Sequence, residues 1–183
     1  MRTSLRTRKR RIGFFVAALV ATSCLGDAAA AQTAATAPKI EANLLQLMRG
    51  IVYPASNVIF AAQEDFSKQP VPADASTSPN PLTTTYGGWQ AVENAGLALS
   101  ESANLLLVPG RMCSSGRPAP VRRADWVADV RKLREAGRAA YTAAQKKDRD
   151  AMIDVAGTIA DACSACHDVY REKKGGEKDR CLP

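Results

Sequence analysis

Apolar residues recur every three or four positions along four segments of this chain, and no strand-like alternation competes with them. This spacing places the apolar side chains on one stripe of an α-helix, which must be buried against a neighbour. The four predicted helices cover about residues 39–66, 86–108, 124–146 and 148–174. The sequence therefore predicts an all-α fold.

The connections between the predicted helices favour one arrangement of them. Two connections are rich in proline and glycine, whereas the third and fourth helices are separated by a very short turn before Asp148, a predicted helix cap. Such connections favour an antiparallel four-helix bundle. Pro54 falls inside the first helix, where it clashes with the carbonyl of Gly50, so we expect a kink there or a helix that begins again at Pro54.

Residues 1–31 have the pattern of a secretory signal peptide. Basic residues precede an apolar run at residues 12–25, and small residues follow at 28–31. The apolar run is too short to span a bilayer comfortably. We therefore expect a Sec-exported, periplasmic protein. Cys24 stands in a loose lipoprotein signal, so a lipid anchor at Cys24 remains an alternative to cleavage after the alanines.

Removal of the signal changes the charge of the chain. The sequence has 25 Lys+Arg and 18 Asp+Glu residues, but six of the basic residues and one acid lie in the signal. The nearly neutral remainder gives no reason to expect nucleic acid or an anionic membrane as a partner. We expect residues 32–38 to form a flexible lead-in and residues 39–183 to form the folded domain.

The motif CSACH, from Cys163 to His167, lies in the last predicted helix. In covalent haem attachment, two thiols add to the haem vinyl groups, and the imidazole that follows them ligates the iron. The residues of this motif have the spacing of that attachment. At about 100° per residue, Cys163, Cys166 and His167 share one helix face. Two other kinds of site use similar cysteine pairs, but neither fits this sequence. A zinc knuckle needs four clustered ligands, whereas the motif offers three. A thioredoxin-type cysteine pair begins a helix after a strand, whereas these cysteines lie within a predicted helix. The motif therefore predicts one covalent haem c, with His167 on its iron.

The residues after the motif extend it to a family resemblance. An aromatic and a basic residue, Tyr170 and Arg171, stand three and four places after His167. In this the chain resembles the class II c-type cytochromes, the cytochrome c′ group, and the likeness extends more loosely over about residues 39–174. The resemblance implies a haem on the last helix of a four-helix bundle, with His167 as the proximal ligand and Arg171 near the proximal haem face. Many members of that group form homodimers, and the sequence leaves the oligomeric state open.

The distal side of the iron decides between two functions. In the family that the chain resembles, either a methionine or an apolar residue of the first helix faces the iron, and Met48 is the candidate sixth ligand here. A thioether ligand raises the reduction potential and suits one-electron transfer to a redox partner protein. The alternative is that Met48 packs only in the core, which leaves the iron free to bind or sense nitric oxide or carbon monoxide. That open site would be lined by Leu44, Leu47, Ile51 and Val52.

Haem catalysis is not expected from this sequence. A peroxidase-like enzyme uses a second, distal histidine as acid and base, and His167 is the only histidine in the chain. We therefore expect a protein that is not an enzyme.

Two cysteines remain after export removes Cys24 and haem uses two thiols. Cys113 and Cys181 would then stand in a compartment that oxidises thiols. In an up-down-up-down bundle, the loop that carries Cys113 and the end of the fourth helix lie at the same pole. We therefore predict a disulfide between Cys113 and Cys181.

Overall fold

The computed structural model describes residues 39–183, so the predicted signal, the lead-in and Cys24 lie outside the described residues. In the described part the chain forms four main helices, four short 3-10 turns and no strand, apart from an isolated bridge between Met112 and Pro118. The all-α prediction is confirmed for this part. The helices are α1 in three continuous pieces (α Leu44–Leu47, π Met48–Val52, α Tyr53–Ala61), α2 Trp89–Leu105, α3 Ala124–Gln145 and α4 Arg149–Tyr170. Within residues 39–183, no helix has the length and apolar character needed to cross a membrane.

Helix α1 accommodates Pro54 with a widened turn. The backbone N–H of Tyr53 donates to the carbonyl of Met48, five residues earlier, in place of the usual four. The backbone remains in the right-handed helical region on both sides of the π turn, at Leu47 and at Val52. The helix therefore runs on through Pro54 and does not begin again there, because the extra residue in the turn relieves the clash expected with the prolyl ring.

The π turn also changes which side chains of α1 are buried. Ile51, which the sequence places in the apolar stripe, is 37% exposed, whereas Val52 is 5% exposed. The prediction for Ile51 was wrong because it assumed a uniform α-helical period. One additional residue in a turn rotates everything after it by about 100°. Helix α1 is also shorter than predicted, and it begins after Asn43, whose side chain accepts a hydrogen bond from the N–H of Gln46 at 2.9 Å.

Helices α2 and α3 approach each other most closely at two glycines. A Cβ atom at Gly137 would lie 2.7 Å from the backbone nitrogen of Ser100 and 3.0 Å from the carbonyl oxygen of Gly96. A Cβ atom at Gly96 would lie 2.6 Å from the backbone nitrogen of Tyr141. The absence of side chains at both positions therefore brings the two backbones into direct contact. Helix α1 also packs on α2, α3 packs on α4, and α1 contacts α4.

Gly137→Ala is expected to destabilise the fold by about 1–3 kcal/mol, because the new methyl group forces apart two packed backbones. The matched control is Gly157→Ala in α4, where a Cβ meets nothing within 4 Å. That control should stabilise the protein by roughly 0.5–1 kcal/mol, since alanine loses less backbone entropy in a helix. Urea denaturation measures both changes. Equal stability of the two variants would contradict the close approach of α2 and α3.

The sulfur atoms of Cys113 and Cys181 lie at bonding distance, as predicted, with their Cα atoms 6.5 Å apart. Cys113 belongs to the loop between α2 and α3, and Cys181 to the tail after α4. The N–H of Cys181 donates to the carbonyl of Tyr170 at 2.8 Å, so the tail turns back onto the end of α4. The disulfide and this hydrogen bond hold the tail against the loop.

Replacement of both Cys113 and Cys181 by serine is expected to lower the free energy of unfolding by about 4 kcal/mol. The bond joins residues 68 positions apart, and its loss restores that much chain freedom to the unfolded state. Urea denaturation of the wild type with and without reductant measures the effect. The double variant should not respond to reductant. Two reactive thiols from this pair on the native protein would refute the disulfide.

Candidate functional site

A cavity of about 560 Å³ brings together the first helix, the last helix and the disulfide. Its volume lies within the roughly 300–1,000 Å³ range of small-molecule and cofactor sites. Helix α1 contributes Leu44, Leu45, Met48, Arg49, Val52, Tyr53 and Ser56. Helix α3 contributes Trp126, and the end of α4 contributes Cys166, His167, Tyr170, Arg171 and Glu172, with Arg171 and Glu172 just beyond its last residue. The remaining lining residues are Cys113, Ser114, Arg180 and Cys181.

The CSACH motif lies in the last two turns of α4. The helix is capped at its start by Asp148, whose carboxylate accepts from the N–H of Ala151 at 3.0 Å. Cys166 and His167 line the cavity, while Cys163, one turn earlier, is half-buried and packs against the core. Neither cysteine takes part in a disulfide. The helix therefore presents two free thiols and one imidazole close together, with the imidazole on the cavity wall.

Burial sets the protonation of these three side chains. It raises the pKa of Cys166 to about 12, and it also raises the pKa of Cys163. Burial lowers the pKa of His167, and the nearby positive charge of Arg171 lowers it further. At neutral pH both thiols are therefore protonated and the imidazole is neutral. A neutral imidazole has a free nitrogen lone pair, which is the form that binds a metal ion.

Met48 lies on the α1 wall of the cavity that His167 lines from α4. It is half-buried and is the first residue of the π stretch. π turns occur frequently at functional sites in helices. The structure therefore brings the predicted distal residue and the predicted proximal ligand to one cavity.

The four apolar residues predicted around the distal side divide into two groups. Leu44 and Val52 line the cavity. Leu47 is buried in the core outside the lining, and Ile51 is turned outward by the π stretch. Leu45 takes part in the lining, although the sequence did not single it out.

Two aromatic residues form a packed pair on the cavity wall. The rings of Trp126 and Tyr170 meet edge to face, with centroids 4.9 Å apart. The indole N–H of Trp126 donates to the carbonyl of Leu106 at 3.1 Å, and Arg123 donates to the Tyr170 hydroxyl at 3.1 Å. Arg123 is itself paired with Asp125 at 3.0 Å. These bonds orient both rings. Trp126 lies in the third predicted helix, but nothing in the sequence pattern linked it to the site.

Three arginines line the cavity, and the sequence singled out one of them. Arg171 lies near His167, and its Nε donates to the carboxylate of Glu172 at 2.6 Å. Arg49 extends from α1, and Arg180 comes from the tail after α4. Arg49 directly follows Met48, which was a sequence signal for its position. No sequence signal pointed to Arg180, because it lies outside the segments with helical apolar spacing.

No protein-family model, no curated protein and no solved structure matches this chain. Within residues 39–183, no three His, Cys, Asp or Glu side chains lie together in a group that could hold a metal ion. The CSACH motif and the cavity that it borders are therefore the features of this chain that bear on its function.

Proposed function

We propose that this chain is an exported, periplasmic c-type cytochrome of the cytochrome c′ type, with one haem c joined to Cys163 and Cys166 and with His167 on its iron. The observation that carries the proposal is the CSACH motif on α4, with Cys166 and His167 lining a cavity of about 560 Å³. The donor set fits a haem. Both cysteines are free for thioether formation, and the imidazole is held neutral by burial.

The remaining walls of the cavity also fit a large, flat, amphipathic cofactor. Apolar side chains from α1 and the ring of Trp126 suit the macrocycle, whereas the arginines suit its acidic edge. The rings of Trp126 and Tyr170 line the same cavity as His167 and are themselves buried, so this part of the wall excludes water. Exclusion of water lowers the local dielectric and strengthens the effect of every nearby charge.

For the whole domain we propose an antiparallel four-helix bundle. Each helix packs on the next one along the chain, and α1 also contacts α4, so the contacts form a closed ring. The disulfide supports the same arrangement, because it joins the α2–α3 loop to the tail after α4. In an up-down-up-down bundle these two segments belong to one pole.

Within this proposal the protein carries single electrons to a redox partner protein. When bound, haem supplies an iron that cycles between ferrous and ferric states. His167 would hold the iron through an imidazole nitrogen, and Met48, which lies on the α1 wall of the same cavity, would hold it through its thioether. Two strong protein ligands would suit electron transfer, because they would leave no position for an external molecule. The presence of Met48 and His167 on the same cavity favours this role over gas binding.

The test is maturation of the full chain in a bacterial host that exports proteins and attaches haem. We expect coloured protein whose pigment resists extraction with acidic acetone, and a polypeptide mass increased by one haem. Colourless protein, or a pigment that the solvent removes, would contradict the proposed function.

A further inference from the structure

The tail after α4 is held in place at Arg180 and at the residue that follows it. The disulfide and the backbone hydrogen bond to Tyr170 fix the next residue, Cys181. The hydroxyl of Ser115 donates to the carbonyl oxygen of Arg180 itself at 3.2 Å. The backbone of Arg180 is therefore positioned by three contacts before its side chain meets any ligand.

The guanidinium of Arg180 leaves one donor without a partner. Its Nε atom is buried, and no group among the described residues accepts a hydrogen bond from it. Its ion-pair partner is Glu177, whose side chain is 59% exposed and whose carboxylate lies 3.8 Å from the Nη1 atom of Arg180. Buried N–H groups in folded proteins almost always have a partner. An unpaired N–H in a residue that lines the cavity therefore points to a ligand that brings an acceptor.

The charges around the cavity indicate which acceptor fits. The lining holds three arginines and one acid, Glu172, which is already paired with Arg171. Arg49 and Arg180 thus add positive charge that the lining does not balance. A planar guanidinium matches a carboxylate, because it can donate two parallel hydrogen bonds to it.

We propose that Arg180 binds a propionate carboxylate of the haem, with its Nε as one donor. This rests on the proposed function, since the haem itself brings the carboxylate. The role is separate from that of Arg171, which lies near His167 and is paired with Glu172. In this role the disulfide positions a haem-binding side chain that lies beyond the four helices.

The test uses holoprotein whose haem carries ¹³C in its propionate carboxyl groups, so that its infrared bands are distinguished from those of protein carboxylates and buffer anions. Arg180→Gln is expected to move the ¹³C-sensitive carboxylate bands in the difference spectrum between oxidised and reduced protein. It should also make the reduction potential more negative, because loss of a positive charge favours ferric iron. The matched control, Lys178→Gln, removes the same charge from an exposed position on the same tail and should leave the bands unmoved.

If Arg180→Gln is poorly folded, Arg180→Lys keeps the charge but removes the planar donor, and the bands should still move. Unmoved ¹³C bands in both variants, or a shift confined to unlabelled carboxylates, would overturn the assignment of Arg180 and leave the haem attachment intact. Wild-type protein without covalent haem would instead overturn the proposed function, and this inference with it.

Discussion

Replacement of both Cys163 and Cys166 by serine is expected to reduce covalently bound haem from one per chain to none. The thioether requires a sulfur atom on each side chain, and serine offers only a hydroxyl, which does not add to the vinyl groups in its place. Each single variant should retain one thioether. Mass spectrometry of the denatured chain and extraction with acidic acetone measure the effect.

The control for this experiment is the pair of cysteines that does not belong to the motif. Holoprotein with serine at Cys113 and Cys181 should retain its haem through denaturation, although it is less stable. This comparison separates attachment from a general effect of cysteine loss. Pigment that survives extraction in the Cys163 and Cys166 double variant would contradict the proposed attachment.

Met48→Ala is expected to lower the reduction potential by on the order of 0.1–0.3 V, within the range of roughly 0.8 V that axial ligands span. Removal of the thioether takes away a ligand that favours ferrous iron and leaves a vacant axial position. The ferrous variant should then bind carbon monoxide readily, whereas the wild type should bind it poorly. Potentiometry and optical and near-infrared spectra with and without carbon monoxide measure these changes.

Two further variants isolate the effect of the Met48 sulfur. Met48→Leu keeps a side chain of similar volume, so it should reproduce the spectral change of Met48→Ala with less loss of packing. Met112→Ala removes an exposed methionine from the α2–α3 loop, away from the cavity lining, and should change neither property. Unchanged spectra of Met48→Ala would remove Met48 from the iron and favour the gas-binding alternative.

The helices were predictable because their signals are local. Helices α2, α3 and α4 lie within a few residues of the predicted segments, since apolar spacing and the breaks between segments act over only a few turns. The close contact between Gly96 and Gly137 was not predictable in the same way. Both glycines lie in predicted helices, but only the packed pair of helices reveals that a methyl group has no room there.

The candidate site also has some features that the sequence predicts and others that it does not. The shared face of Cys163, Cys166 and His167 follows from the geometry of one helix and needs no other part of the chain. The cysteine pairing followed from a simple topological argument about which loops meet. The buried position of Val52 and the exposed position of Ile51 could not be predicted in this way. A π turn near Pro54 changes the helical register of the residues that follow it.

The sequence by itself determined the helical class, the two free thiols beside one imidazole, and the pairing of Cys113 with Cys181, since each depends on spacing or on a count of cysteines. Only the tertiary structure decided that Arg180 and Trp126 line one cavity with His167. These residues lie on different elements, and their proximity depends on packing between distant parts of the chain. The local spacing of apolar residues does not predict such packing.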